Sequence, residues 1–294
     1  MAERVRPRGE GEVREVRARH KALPVLASSV ATALCCTAPA NAFGKQFARL
    51  VRGLYLRLAP LPADVTVEGL RMRCWLRDNT CERKFVFTPW RFDAAERTAL
   101  AETLPADGVF VDIGANVGIY TLVFALRMAS TGRIVAIEPH SRALERLAFN
   151  IAATRTGRAA WPRIDVMAVG VSDAPGRFEL RVDGGNLGGG SIASGTARFS
   201  RAGAAGRVMI ECRPLLSILE DLGVGRIDAL KIDIEGSEDH ALVPFLRTAP
   251  EPMLPQRLCV ENSDHLWSLD LRGALAARGF REHLRTRLNT VYSR

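Results

Sequence analysis

From Val109 onward the chain repeats one rhythm: a short apolar strand, a glycine or polar turn, then a helix with one apolar face. No other feature constrains the fold as much. "VFVDIG" runs into a helix reaching Gly132, "RIVAIEP" into the helix "SRALERLAFNIAAT", and the strand "IDVMAVGV" follows. Alternating β and α units imply an α/β fold with a parallel sheet and right-handed crossovers. The interval 176–212 breaks the rhythm with a β-prone excursion around "GGNLGGGSI", which reads either as a flexible turn or as bare backbone able to contact a sugar or phosphate. After it come a short helix over 214–221, the strand "IDALKIDIEG", the helix "SEDHALVPFL", the strand "RLCVEN", the helix "LRGALAARGF" and a terminal hairpin within 281–294.

The organisation expected is a leader over 1–43, a preface over 44–100 and a principal domain over 101–294. The chain has 294 residues, 47% of them hydrophobic and 25% charged, enough for one large core. Its net charge of +9 is uneven, because residues 1–60 hold eleven Lys and Arg against four Glu. A nucleic-acid footprint would spread over the domain itself, so a nucleic-acid partner is not expected, while a basic leader can touch an anionic membrane. The uncharged run 22–43 reads as an extension without its own fold, a weak anchor or an export signal. Residues 44–58 place Phe47, Leu50, Val51, Leu54, Tyr55 and Leu58 on one helical stripe. That stripe is expected to pack on the domain, with a membrane-surface helix as the alternative. Residues 65–87 read as an antiparallel hairpin around "RDNT". Six cysteines without metal-ligand spacing fit a reducing compartment, and no metal site is expected.

In an open parallel sheet, ligands bind beyond the carboxyl ends of the strands, where a glycine turn lets backbone approach. Gly114, Asn116 and Gly118 occupy such a turn after "VFVDI". Their spacing does not match the G-x-G-x-x-G diphosphate fingerprint of a nucleotide-binding oxidoreductase. A smaller adenosine ligand fits better. Glu138, ending the next strand 20 residues beyond Gly118, can accept both hydrogen bonds of a ribose diol, and Asp112 can face an ammonium group.

Together "VFVDIGANVGIYTL", "AIEPHSRALERLAFNIA", "AVGVSDAPG" and "LKIDIEGSE" resemble the FkbM-type family of S-adenosylmethionine-dependent methyltransferases, from about residue 65 to the C-terminus. The resemblance implies a Rossmann-like class I methyltransferase fold: a mostly parallel seven-stranded sheet flanked by helices, behind an N-terminal preface of helix and β-hairpin. It further implies that Asp112, Gly114, Asn116 and Gly118 surround the methionine part of the cofactor, that Glu138 holds the ribose, and that Val169 and Gly170 lie beside the adenine. His140 either stacks there too or is an ordinary surface residue. Because S-adenosylmethionine is a cytosolic metabolite, the implied location is cytoplasmic, with membrane association through the leader as a further option.

Lys231, Asp233 and Glu235 alternate with Leu230, Ile232 and Ile234, which puts the three charges on one strand face if the strand persists. A functional cluster and an internal Lys231–Asp233 pair, with Glu235 serving the next helix, weigh about equally on the residues alone, and the resemblance favours the cluster. Charge dissipates in transfer from a sulfonium to a hydroxyl, so a carboxylate helps by aligning the acceptor or taking its proton rather than by contacting sulfur. Asp233 and Glu235 are the catalytic candidates, with Glu261 and His265 behind them. Base aminomethylation commonly shows "(N/D)PP(Y/F)" where this chain has "DIEG", so a hydroxyl of a glycan, glycolipid or small metabolite is the expected acceptor. An amino or nucleic-acid acceptor is the alternative.

Overall fold

The computed structural model describes residues 31–183, 186–192 and 206–294. A seven-stranded sheet runs β12-β13-β11-β10-β3-β4-β5. Its strands are β3 (Val109–Ile113), β4 (Arg133–Ile137), β5 (Arg163–Met167), β10 (Ala229–Ile232), β11 (Arg257–Glu261), β12 (Arg281–Arg285) and β13 (Asn289–Ser293). Only β13 is antiparallel to both of its neighbours, and the other pairings are parallel. This is the expected class I methyltransferase fold.

The central strands are apolar on both faces, as a parallel sheet covered on both sides requires. Phe110, Ile134, Ala229 and Cys259 face one core, shared with helix α4 (Ile119–Ala125) and the N-terminal preface. Val111, Val135, Leu230, Ile232, Leu258 and Val260 face the other, under α6 (Leu215–Asp221), α7 (Glu238–Thr248) and α8 (Leu271–Ala277). Helix α5 (Ser141–Arg155) follows β4.

The excursion over 176–212 forms a second sheet ordered β6-β9-β7-β8, from β6 (Gly170–Val171), β7 (Gly176–Asp183), β8 (Asn186–Ile192) and β9 (Gly206–Arg213). "GGNLGGGSI" is therefore mostly strand, with Leu180 opposite Ile192 and Asp183 opposite Asn186. The flexible-turn reading is corrected there, and residues 184–185 lie outside the described residues. Gly170 pairs with Cys212 of β9, an approach close enough that a Cβ on it would lie 2.5 Å from Cys212 Sγ.

The preface differs from expectation in two places. Its hairpin pairs β1 (Ala63–Val67) with β2 (Leu70–Cys74) and turns at Glu68-Gly69, both at positive φ, the geometry of a tight two-residue hairpin. "RDNT" instead starts helix α2 (Thr80–Phe87), where Asn79 Oδ1 accepts from the Glu82 amide at 3.0 Å and caps the first turn. Helix α1 (Ala42–Leu58) forms as expected, but of its stripe Tyr55 is buried and Val51 packs on the core, while Leu50, Leu54 and Leu58 stay exposed and Gly44 and Ala48 are buried instead. Of the leader, residues 31–36 are helical and 1–30 lie outside the described residues. No helix among the described residues is long and apolar enough to cross a membrane.

Side chains from α5 tie the preface to the domain. Asn150, fully buried, accepts from the Arg73 amide at 2.8 Å and donates to the Val117 carbonyl at 3.0 Å, joining hairpin to glycine turn. Arg146 pairs with Asp78 at 2.7 Å and lies over the Trp75 ring at 4.3 Å. The preface is thereby held against the end of the sheet where the strands β3, β4 and β10 finish.

Candidate active site

The turn after β3 is built by backbone that only certain residues allow. Gly114 has φ +73, and a Cβ on it would lie 2.0 Å from the Asp233 carbonyl oxygen, so the turn presses directly on the end of β10. The amides of Gly114 and Ala115 both donate to the Ile137 carbonyl. Asn116 takes φ +51, a left-handed conformation that asparagine tolerates, and aims its amide at Glu138 Oε2, 2.8 Å away. Glu138 Oε1 accepts from the His140 amide at 2.9 Å. Burial pushes the Glu138 carboxyl up to about 7, against the lowering effect of these two amides.

One cavity gathers Asp112, Gly114, Asn116, Glu138, Val169, Gly170, Asp233 and Glu235, along with Glu261 and His140. Gly118 is not part of its wall. At φ +91 it caps α4, and its missing side chain leaves room for Leu147, whose Cδ1 would be 2.4 Å from a Cβ. Its backbone conformation and lack of a side chain serve helix packing. His265 is exposed and outside the cavity wall. His140 is buried, not a surface residue; its Nδ1 accepts from the Arg142 amide at 3.2 Å, and burial lowers its pKa.

Asp112 is fully buried, and its Oδ2 accepts from both the amide and the hydroxyl of Thr121, at 3.0 and 2.7 Å. Its Oδ1 has no hydrogen-bond partner among the described residues. Lys231, also buried, has its ammonium 3.9 Å from that oxygen, 3.5 Å from Asp233 Oδ2 and 3.2 Å from the Gly114 carbonyl. Burial works against the charged ammonium, but Asp233 and Asp112 more than offset it and hold its pKa above the usual lysine value.

β10 ends at Ile232, so Asp233 and Glu235 do not share a strand face as expected. The chain bends instead, with Glu235 at φ +56 and Gly236 at φ +101. The bend is held by Glu238, whose Oε1 accepts from the amides of Ile234 and Gly236. Glu238, not Glu235, serves the start of α7. Glu235 is left to face Asp233 and Glu261, and one carboxylate oxygen of each lies within 4.8 Å of the other two. Burial, then the neighbouring carboxylates, push Glu235 up to about 7 and Glu261 up to about 9.

The wall opposite this cluster is made by the preface, which the sequence reading did not place in the site. Thr80, Cys81 and Lys84 of α2 line it, with Phe92, Asp93 and Tyr120. Asp93 sits at φ +43 before α3 (Ala94–Ala101) and accepts from the Tyr120 hydroxyl at 3.2 Å. The signal that could have exposed this wall was N-T-C-E over 79–82, a helix-start pattern with a capping asparagine.

Away from the cavity, Ser268 Oγ lies 3.0 Å from His240 Nε2, and His240 Nδ1 lies 3.2 Å from Asp173. The order matches a nucleophile, base and orienter, but Asp239 Oδ2 accepts from both the amide and the hydroxyl of Ser268. A carboxylate therefore stands where an oxyanion would need donors, and the chain of contacts acts as a clamp on α7.

The sheet order, the glycine turn and the acid ending β4 together define a class I methyltransferase. The Methyltransferase FkbM domain family matches residues 112–258, half of the chain, and the protein belongs to that family. It accordingly carries an S-adenosylmethionine-dependent methyltransferase domain. The chain is also 30% identical over 174 residues to the AMB antimetabolite synthetase AmbE of Pseudomonas aeruginosa, a match covering 48% of this chain and 8% of that protein. Methyltransferase FkbM from Methylobacillus flagellatus is 21% identical at a TM-score of 0.40, with 74% of this chain and 56% of that one covered. For precorrin-6y C5,15-methyltransferase from Geobacter metallireducens the values are 14%, 0.41, 69% and 87%.

Proposed function

We propose that the protein methylates a hydroxyl group on a glycan, glycolipid or other small metabolite, and that Asp233 and Glu235 serve the acceptor. The observation that carries this reading is the carboxylate cluster of Asp233, Glu235 and Glu261, packed against the glycine turn through the Gly114 to Asp233 contact. A similar segment within an antimetabolite synthetase supports a small-molecule acceptor.

The residues around the turn fit the cofactor. Asp112 Oδ1 accepts no hydrogen bond among the described residues and is ion-paired only loosely, with Lys231 at 3.9 Å, so it keeps lone pairs for an ammonium group, and Glu138, fixed by two amides, keeps them for a ribose diol. Gly114 and Asn116 border the methionine part, while Val169 and Gly170 border the adenine. When bound, S-adenosylmethionine supplies an electrophilic methyl group on a cationic sulfur. With that group bound, Asp233 would accept the proton that the acceptor hydroxyl gives up. Glu235 aligns the hydroxyl by accepting or donating according to its own protonation. Glu261 holds a proton near neutral pH, which limits the negative charge in the cluster.

Two variants test separate halves of this reading. Asp233→Asn should lower transfer of tritiated methyl to an acceptor extract by roughly 10²- to 10⁴-fold, while cofactor affinity measured by calorimetry stays within about twofold. Glu138→Ala should weaken cofactor binding by about tenfold or more, since it removes a charged acceptor from two amides and a diol. Full transfer by Asp233→Asn, or unchanged cofactor affinity in Glu138→Ala, would overturn the corresponding role.

A further inference from the structure

Helix α1 touches the body of the protein through one face and leaves a row of large apolar side chains outside it. Gly44, Ala48 and Tyr55 are buried, and Tyr55 meets the Phe87 ring of α2 edge-on at 5.8 Å. Phe43, Leu50, Leu54 and Leu58 form a row that is 74, 66, 61 and 74% exposed, and Leu34 of the preceding helical stretch is 45% exposed. Only two other large hydrophobic residues, Val208 and Met209 on β9, are comparably open among the described residues. Single exposed leucines are ordinary on a protein surface, whereas a row confined to one helix marks an interaction face.

Charge selects what covers that face. Within Ala42–Leu58 stand Lys45, Arg49, Arg52 and Arg57 and no Asp or Glu. Arg77 extends the basic surface, its guanidinium donating to the Leu56 carbonyl at 2.8 Å. A second copy of the helix would bring arginine against arginine with no acid of its own to pair them. A lipid surface takes both parts at once, with leucines at the acyl boundary and guanidinium groups among phosphates. Seventeen residues give about 25 Å of helix, long enough to lie along a bilayer surface. With four positive charges it is too polar to cross one.

We propose that α1 is an in-plane membrane anchor that docks the enzyme on anionic lipid, with Phe43, Leu50, Leu54 and Leu58 inserted and Arg49 and Arg57 on the headgroup phosphates. The anchor is mechanically close to the site, because α1 packs on α2 and α2 supplies Thr80, Cys81 and Lys84 to the cavity wall. Docking therefore sets how the cavity is presented to acceptors held at a membrane.

Flotation of the full chain with phosphatidylcholine vesicles, with and without phosphatidylglycerol, tests this. The protein should float with the anionic vesicles and lose that binding as salt is raised. Leu50→Ser/Leu54→Ser should reduce flotation by about tenfold or more, with an unchanged melting temperature and cofactor affinity. Arg49→Glu/Arg57→Glu, on exposed side chains, should do the same and keeps the test valid should the leucine pair fail to fold. The proposal is overturned if the unmodified chain does not float, or if both variants float as well as it does, which would assign binding to another segment. It is equally overturned if sedimentation shows a dimer that the leucine variant splits while neither form binds vesicles.

Discussion

The two walls of the cavity are built in different ways. The wall proposed to hold the cofactor is a product of strand ends: Gly114, Asn116 and Glu138 lie within 25 residues of one another, and their amides and carboxylate satisfy each other across β3 and β4. The wall proposed to meet the acceptor is assembled from distant stretches, with Thr80 and Lys84 from the preface lining the same cavity as Asp233, Glu235 and Glu261 from the ends of β10 and β11. The first wall is locally encoded. The second depends on how the preface seats, and it holds Glu261, which burial and neighbouring carboxylates push up to about 9.

Lys231 is where the two walls meet, since its ammonium faces Asp112 on one side and Asp233 on the other. Lys231→Met should therefore damage both at once. Removing one partner of a buried charge group leaves Asp112 uncompensated at full burial, a loss of about 3 to 5 kcal/mol in unfolding free energy. Urea denaturation measures it. A loss under about 1 kcal/mol would mean that the walls are independent and that Asp112 is neutral in the native protein.

The acids of the acceptor wall give the next effect. Glu261 is raised from an ordinary 4.5 to about 9, first by burial and then by Asp233 and Glu235. Between those values the native state holds a proton that the unfolded chain has lost, so the stability linked to it is present below about pH 4.5 and disappears as pH rises through 9. Glu138 and Glu235, both near 7, act in the same direction over a narrower range. Glu261→Gln should flatten the upper part of the curve and stabilise the protein at pH 8 by on the order of 1 to 2 kcal/mol. Parallel curves for the two proteins, read from urea midpoints across pH, would place Glu261 outside the coupled cluster.

This contrast also explains what the sequence could show. That Asp112, Gly114, Asn116 and Glu138 come together in one cavity was legible, because a glycine turn after a strand and an acid ending the next strand are short-range patterns. Gly118 sat in the same pattern but serves Leu147, a contact that depends on where α5 packs. Asp233 and Glu235 were legible as residues but not as geometry, since the alternation in "LKIDIE" conceals the bend that Glu238 holds. Thr80, Lys84 and Asp93 were not legible, because the preface that carries them is tied to the domain by Asn150 and Arg146, contacts that span about 70 residues of chain. The apolar stripe of α1 was visible too, but periodicity cannot say which face is covered.

The smallest effect expected joins the two walls at a single side chain. Asn79 caps α2 through its Oδ1, and its Nδ2 donates to Asn116 Oδ1 at 3.1 Å, reaching from the preface to the cofactor turn. Asn79→Ala removes the cap and the reach together, while Asn79→Ser keeps a capping oxygen on a side chain too short to meet Asn116. Ala should cost about 1 kcal/mol of stability and Ser a few tenths. If the preface steadies Asn116 in its left-handed conformation, both variants should weaken cofactor binding equally, by about two- to fivefold. If the cofactor wall is self-sufficient, calorimetry will show affinity unchanged in both while only Ala loses stability, and the preface then serves the acceptor alone.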